Sequence, residues 1–135
     1  MDNKRAHLQM IQAIVNRMSV NSFLLKGWSV VLVSALFALA AGGSQKLFVY
    51  LAYFPAIAFW MLDGYYLWQE KLFRKLYDRV RSLDEHDVDF SMDTSIVRGE
   101  VSEWFCVAVS KTLAIFHGAV IGSIVIVMLV IISNR

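Results

Sequence analysis

Two ionisable residues interrupt otherwise uncharged apolar stretches, and they are the first candidates for chemistry. Asp63 is the one charged residue among the 23 between Lys46 and Glu70, and His117 is the one ionisable residue among the 20 from Leu113 to Ile132. Desolvating such a group is costly, so it is either paired with another polar group or takes part in moving ions or protons. Asp63 lies a turn or two from Glu70, within reach of water or a basic neighbour. A structural role and a pore-lining or proton-sensitive role are therefore both open for it. His117 has no second ligand at i±3 or i±4, so it does not form a metal site. It is expected to hydrogen-bond across helices, with Asp63 as the testable partner. Ser34, in the first apolar stretch, is the third polar candidate for a pore axis.

Enzymatic chemistry finds no signature. The chain has no Gly-rich phosphate loop, no histidine pair at metal spacing and no nucleophile elbow. Its single cysteine, Cys106, has no base near it in sequence and reads as a packing residue. Asp84, Glu85, Asp87, Asp89 and Asp93 crowd into ten residues around His86. The plain reading is a solvated acidic connector. The sharper one, a divalent-cation loop, lacks the turn glycine and closing glutamate of an EF-hand. No enzymatic activity, cofactor or metal is expected. A net charge of +2 gives no reason to expect direct nucleic-acid binding.

The elements that position these residues follow from composition. The chain has 135 residues, 58% apolar and 18% charged, with a mean hydropathy of +0.54. Soluble chains run nearer about 45–50% apolar and 25% charged. Charges fall in clusters, and the gaps between them (Gly27 to Gln45, Lys46 to Glu70, Leu113 to Ile132) are each about 20 residues. At about 1.5 Å per residue, each gap covers the ~30 Å hydrocarbon layer as a helix. The expected fold is all-α, a polytopic membrane protein of one helical domain with three transmembrane helices. Residues 1–26 form a cytoplasmic amphipathic helix and 27–45 span one. Residues 47–68 form span two, 69–111 a cytoplasmic helix and acidic connector, and 112–132 span three. Ala38-Leu39-Ala40 has a faint likeness to a signal-peptidase site, but the long amphipathic segment before it argues against cleavage.

In the N-terminal segment Leu8, Ile11, Val15 and Met18 recur at helical spacing beside Ile14. This stripe lies either on lipid or on another helix. Its polar side carries few cations, which favours protein. Asn21 and Ser22 are placed to break or cap the helix before span one. Gly42 is expected to end span one, leading through Gly43, Ser44 and Gln45 to Lys46. Pro55 is expected to kink span two. Beyond that span, Leu72, Leu76, Val80 and Leu83 continue one stripe with Phe73 and Tyr77 beside it. The spacing predicts a single helix from about Leu47 to Leu83. Its projecting apolar stripe needs a partner; within one subunit only the N-terminal helix is available, and self-association is the expected supplement. Asp93 is a plausible cap for a short helix that feeds span three. Gly118, Gly122 and Ser123 form a small-residue face suited to close helix packing within or between subunits. Ser34, Ala38 and Ala41 make a weaker one.

Eleven basic residues (Lys4, Arg5, Arg17, Lys26, Lys71, Arg74, Lys75, Arg79, Arg81, Arg98 and Lys111) lie on one side of these spans, against Lys46 and Arg135 on the other. The positive-inside rule places the N-terminus and the central segment in the cytoplasm and the C-terminus outside. Trp28, Tyr50, Tyr53, Tyr65, Tyr66, Trp68 and Trp104 fall near headgroup levels, as interfacial aromatics do.

The segment MIQAIVNRMSVNSFLLKGWSVVLVSALFALAA, through Arg17, Asn21, Ser22, Phe23, Leu24, Lys26 and Trp28, resembles the opening of certain small bacterial inner-membrane proteins. These are the RipA-like membrane proteins and the helical membrane accessories found beside CRISPR and RADAR anti-phage systems. The likeness covers mainly residues 8–85. The third apolar stretch departs from their two-span pattern. The resemblance implies a ring-like homo-oligomer, a pore that perturbs the membrane during phage infection. The functional expectation is an oligomeric inner-membrane protein acting as a pore or membrane-perturbing component, with the lipid bilayer and a cytosolic protein as partners. A non-conducting anchor that recruits a cytosolic partner is the alternative.

Overall fold

The computed structural model describes residues 2–42 and 46–134. The expected turn at Gly43 to Gln45 and the terminal Arg135 lie outside the described residues. Every regular element among them is helical: α1 Asp2–Ala41, α2 Leu47–Leu51, α3 Tyr53–Arg81, α4 Trp104–Ala108 and α5 Lys111–Ser133, with 3-10 turns at Glu85–Asp87 and Ser95–Glu100. Three helices, α1, α2 with α3, and α5, are long and apolar enough to cross a membrane.

The helix α1 is one continuous rod of 40 residues. Asn21 and Ser22 neither break nor cap it, which corrects the expectation of a step there. Ser22 is instead buried and turns its hydroxyl to a partner on another helix, so it does not compete for its own backbone. Pro55 follows an interruption of the second rod, α2 with α3. Pro55 has no N–H to offer Leu51, and the helix is interrupted at Ala52, one turn before it. The chain stays in right-handed helical geometry there, and the rod then runs on to Arg81.

The N-terminal half of α1 lies along the C-terminal half of α3. Ile11 and Val15 pack with Leu76, Val80 and Val97, and Leu8, Phe73, Tyr77, Leu83 and Met92 close the edges. The two stripes read from the sequence thus cover each other within one chain, helped by Met92 and Val97 of the connector. Within one chain the projecting stripe is covered by the connector as well as by α1. Each fully buried Leu or Ile here contributes roughly 1.5–3 kcal/mol by leaving water.

The connector fastens the start of α1. Glu85 accepts hydrogen bonds from the backbone N–H groups of Asn3 and Lys4, at 3.0 and 3.3 Å, and so satisfies donors that a helix start leaves open. His7 Nε2 donates to the Ser91 carbonyl at 2.9 Å, and the ring of Phe90 lies 5.5 Å from the His7 ring. Phe90 takes a left-handed backbone, φ 56°, to reach it. Asp93 accepts from the Ser95 N–H at 2.9 Å, which starts a 3-10 turn rather than an α-helix.

At the other end, Val33, Val49, Ala52, Ala56 and Ile124 form a second core between α1, the second rod and α5. Alanine at 52 and 56 keeps the helices close. The last part of the connector does not stay below the rods. It returns beside α3 as α4, where Trp60 Nε1 donates to the Ala108 carbonyl at 2.7 Å and Trp104 Nε1 donates to the Met61 carbonyl at 3.3 Å. Gly64 makes this fit possible, because a Cβ there would sit 2.6 Å from Ala108 Cβ.

Candidate functional site

Where the three long helices meet, Lys26 of α1, Asp63 of α3 and His117 of α5 converge. Counting at 1.5 Å per residue from the Ala41, Leu47 and Ser133 ends, they lie at depths of about 22, 24 and 24 Å, so they share one level. Asp63 is fully buried and is the hub. Its Oδ1 accepts from the Ser22 hydroxyl, and its Oδ2 lies 2.6 Å from Lys26 Nζ and 2.7 Å from His117 Nε2. Lys26 Nζ also donates to Ser22 Oγ at 2.9 Å, which closes the network.

Local sequence explains the convergence. Ser22, Lys26 and Ser29 follow at spacings of four and three, so one face of α1 carries all of them. The Trp60 ring stacks on His117 at 5.7 Å with an interplanar angle of 8°, and fixes the imidazole. With Nε2 as the donor to Asp63, His117 Nδ1 is buried without a partner. The tautomer carrying hydrogen on Nε2 leaves a lone pair there rather than an unpaired N–H. Ser29 Oγ is a second buried atom of this region without a partner.

Charge in the network balances: one ammonium faces one carboxylate, and a hydroxyl and an imidazole take up the remaining acceptor capacity. Burying two charges costs several kcal/mol per ion unless geometry and further hydrogen bonds compensate. The hydrogen bonds from Ser22 and His117 supply that compensation. Nothing in the set forms a nucleophile with an activating base, because Asp63 is already engaged by three donors. Among the described residues no group of three or more metal-ligating side chains gathers.

The structure brings two of the three polar candidates together and leaves the third apart. Asp63 and His117 are hydrogen-bonded to each other. Both are fully buried inside the chain rather than lining an opening. Ser34 is exposed on α1, on the rim of a shallow groove shared with Phe116 and Ser123 of α5. Among the described residues Gly118 and Gly122 make no close contact with another helix, whereas Ser123 borders that groove opposite α1. A Cβ at either glycine would find nothing within 4 Å, and the Ser123 hydroxyl bonds back to the Ala119 carbonyl at 2.8 Å.

Sequence reasoning missed Lys26, Ser22 and Ser29 as site residues. Lys26 looked like a boundary charge and Ser22 like a helix breaker, although their shared helical face was a signal. His7 gave no signal, since its partner Ser91 is 84 residues away. Compared with protein families, with characterised proteins and with solved structures, the chain finds no match.

Proposed function

We propose that the chain is a membrane-perturbing subunit of the bacterial cytoplasmic membrane, assembled as a homo-oligomer and held closed by the Lys26–Asp63–His117 network. One observation carries this reading: each of the three span-length helices gives one ionisable side chain to a single cluster around the buried Asp63. In lipid, burying an apolar side chain between helices gains little, because the surroundings are equally apolar. The polar network then becomes the main clamp on the three spans. Parting the helices would expose a carboxylate and an ammonium to the bilayer, and both would draw water in. The outward face of Gly118, Gly122 and Ser123 is the surface offered to neighbouring subunits. The setting in anti-phage defence rests on the likeness of residues 8–85 alone.

Reconstitution in liposomes with an entrapped dye tests this. Wild-type protein should hold the dye at neutral pH, and Asp63→Asn and Lys26→Met should release it. Folded, oligomeric variants that stay tight would refute the clamp. They would select the second reading, a non-conducting anchor for a cytosolic partner. That reading is favoured by the full burial of Asp63 and His117, so that neither side chain lines an opening. Orientation is tested with Asn134→Cys in a Cys106→Ser background: labelling from outside the cell is expected, and protection there would reverse the topology.

A further inference from the structure

The elbow formed by α4 against α3 carries two adjoining clefts. Trp60, Met61, Trp104, Phe105, Ala108 and Val109 line a cleft of ≈220 Å³ with no polar wall. Phe105 and Val109 are exposed at its mouth. Directly beside it, and sharing Trp104 as a wall, lies a second cleft of ≈560 Å³ bordered by Trp68, Arg98 and Glu103. The Arg98 guanidinium stands 5.5 Å over the Trp68 ring and also interacts electrostatically with Asp93, which does not border this cleft. The two clefts differ in depth as well as in chemistry. Counted from Leu47, Met61 lies about 21 Å along the second rod and Trp68 about 31 Å, which brackets the inner edge of a ~30 Å hydrocarbon layer. The apolar cleft is therefore at acyl-chain level and the charged one at headgroup level.

We propose that this elbow binds one phospholipid of the cytoplasmic leaflet whose zwitterionic headgroup carries a primary ammonium. An acyl chain fills the apolar cleft, the phosphate meets Arg98, and the ammonium meets Glu103. One cation and one anion border the headgroup cleft, so a zwitterion matches it. A net-negative headgroup would face Glu103 as a like charge. A quaternary ammonium has no N–H to give the Glu103 carboxylate, and the Trp68 face that could attract it is covered by Arg98. The inference rests on reading the long helices as spans, and it is independent of whether the protein perturbs the bilayer.

The full chain, released from an equimolar mixture of phosphatidylethanolamine, phosphatidylcholine and phosphatidylglycerol into mild detergent, is examined by native mass spectrometry. One retained phosphatidylethanolamine per chain is expected, favoured by about three- to fivefold, the scale of one partly exposed charge pair. Glu103→Gln should abolish the preference over phosphatidylcholine, and Arg98→Gln should lower retention of all three lipids. Both side chains are exposed, so both variants should keep the wild-type circular dichroism. Equal retention of the three lipids, a preference for phosphatidylglycerol, or a preference untouched by Glu103→Gln would overturn the proposal. A chain found in the soluble fraction of lysed cells would instead sink the reading of the spans.

Discussion

The imidazole of His117 donates through Nε2 to Asp63 Oδ2 at 2.7 Å, although 54 positions separate the two residues. Lys26 completes the contact from a third helix, so one carboxylate ties three long elements at one level. Removing the hub is therefore more damaging than removing a spoke.

Asp63→Asn leaves the Lys26 ammonium without its counter-charge. Breaking a buried pair costs about 3–5 kcal/mol. The Lys26 side chain is 23% exposed, so solvent offsets part of the loss and about 2–3 kcal/mol is expected. Thermal unfolding in mild detergent measures it. The double variant Lys26→Met, Asp63→Leu removes both charges and should recover most of the loss. A single variant as stable as wild type would show that the network is not a clamp.

Glycines on the two rods should respond in opposite ways. Gly64→Ala drives a methyl to within 2.6 Å of Ala108 Cβ and 2.9 Å of its Cα, so α4 must shift. A loss of about 1–3 kcal/mol is expected, with a change in tryptophan emission as the Trp60–Ala108 bond is disturbed. Gly118→Ala and Gly122→Ala meet open space and should leave the isolated subunit unchanged or up to about 1 kcal/mol more stable. Equal losses at all three positions would contradict the packing described.

In the core between the N-terminal half of α1 and the C-terminal half of α3, Leu76→Ala should destabilise by about 2–5 kcal/mol, because Leu76 is enclosed by α1 and the connector. Hydrogen exchange should rise first in residues 2–18 and 72–83, while the Lys26 level stays protected. Uniform exchange along the whole of α1 would show that the two cores are not separately stabilised.

Asp93 is exposed, and the backbone N–H and hydroxyl of Ser95 hold its carboxyl below the ordinary aspartate value of 3.8. A depressed folded value means that the Asp93–Ser95 turn contributes above 3.8 and is lost as pH falls through the folded value. The Ser95 amide resonance should titrate with a midpoint below 3.8, and a midpoint at or above it would refute the contact.

Much of the architecture was legible because charge spacing and helical periodicity both act locally. The three apolar gaps became three long helices, and the stripes of Ile11–Val15 and Leu76–Val80 became a core. The pairing of Asp63 with His117 could be guessed because buried ionisable groups need partners, and each was the other's nearest candidate in type. Lys26 escaped notice because a charge at the edge of an apolar stretch looks the same whether it faces water or turns inward. The fold-back of α4 was illegible for a different reason. It depends on the missing Cβ of Gly64 and on two indole N–H groups finding carbonyls more than 40 residues away, and neither leaves a periodic trace.

Because α1 has no hinge between Asp2 and Ala41, it behaves as a stiff lever about 60 Å long. Its foot is gripped by Glu85 and Ser91, and Lys26 sits partway along its shaft. Torque applied to the foot cannot dissipate at a joint before it reaches Lys26. Whatever grasps the acidic segment around Glu85 therefore holds a mechanical handle on the ammonium that meets Asp63 where three helices converge.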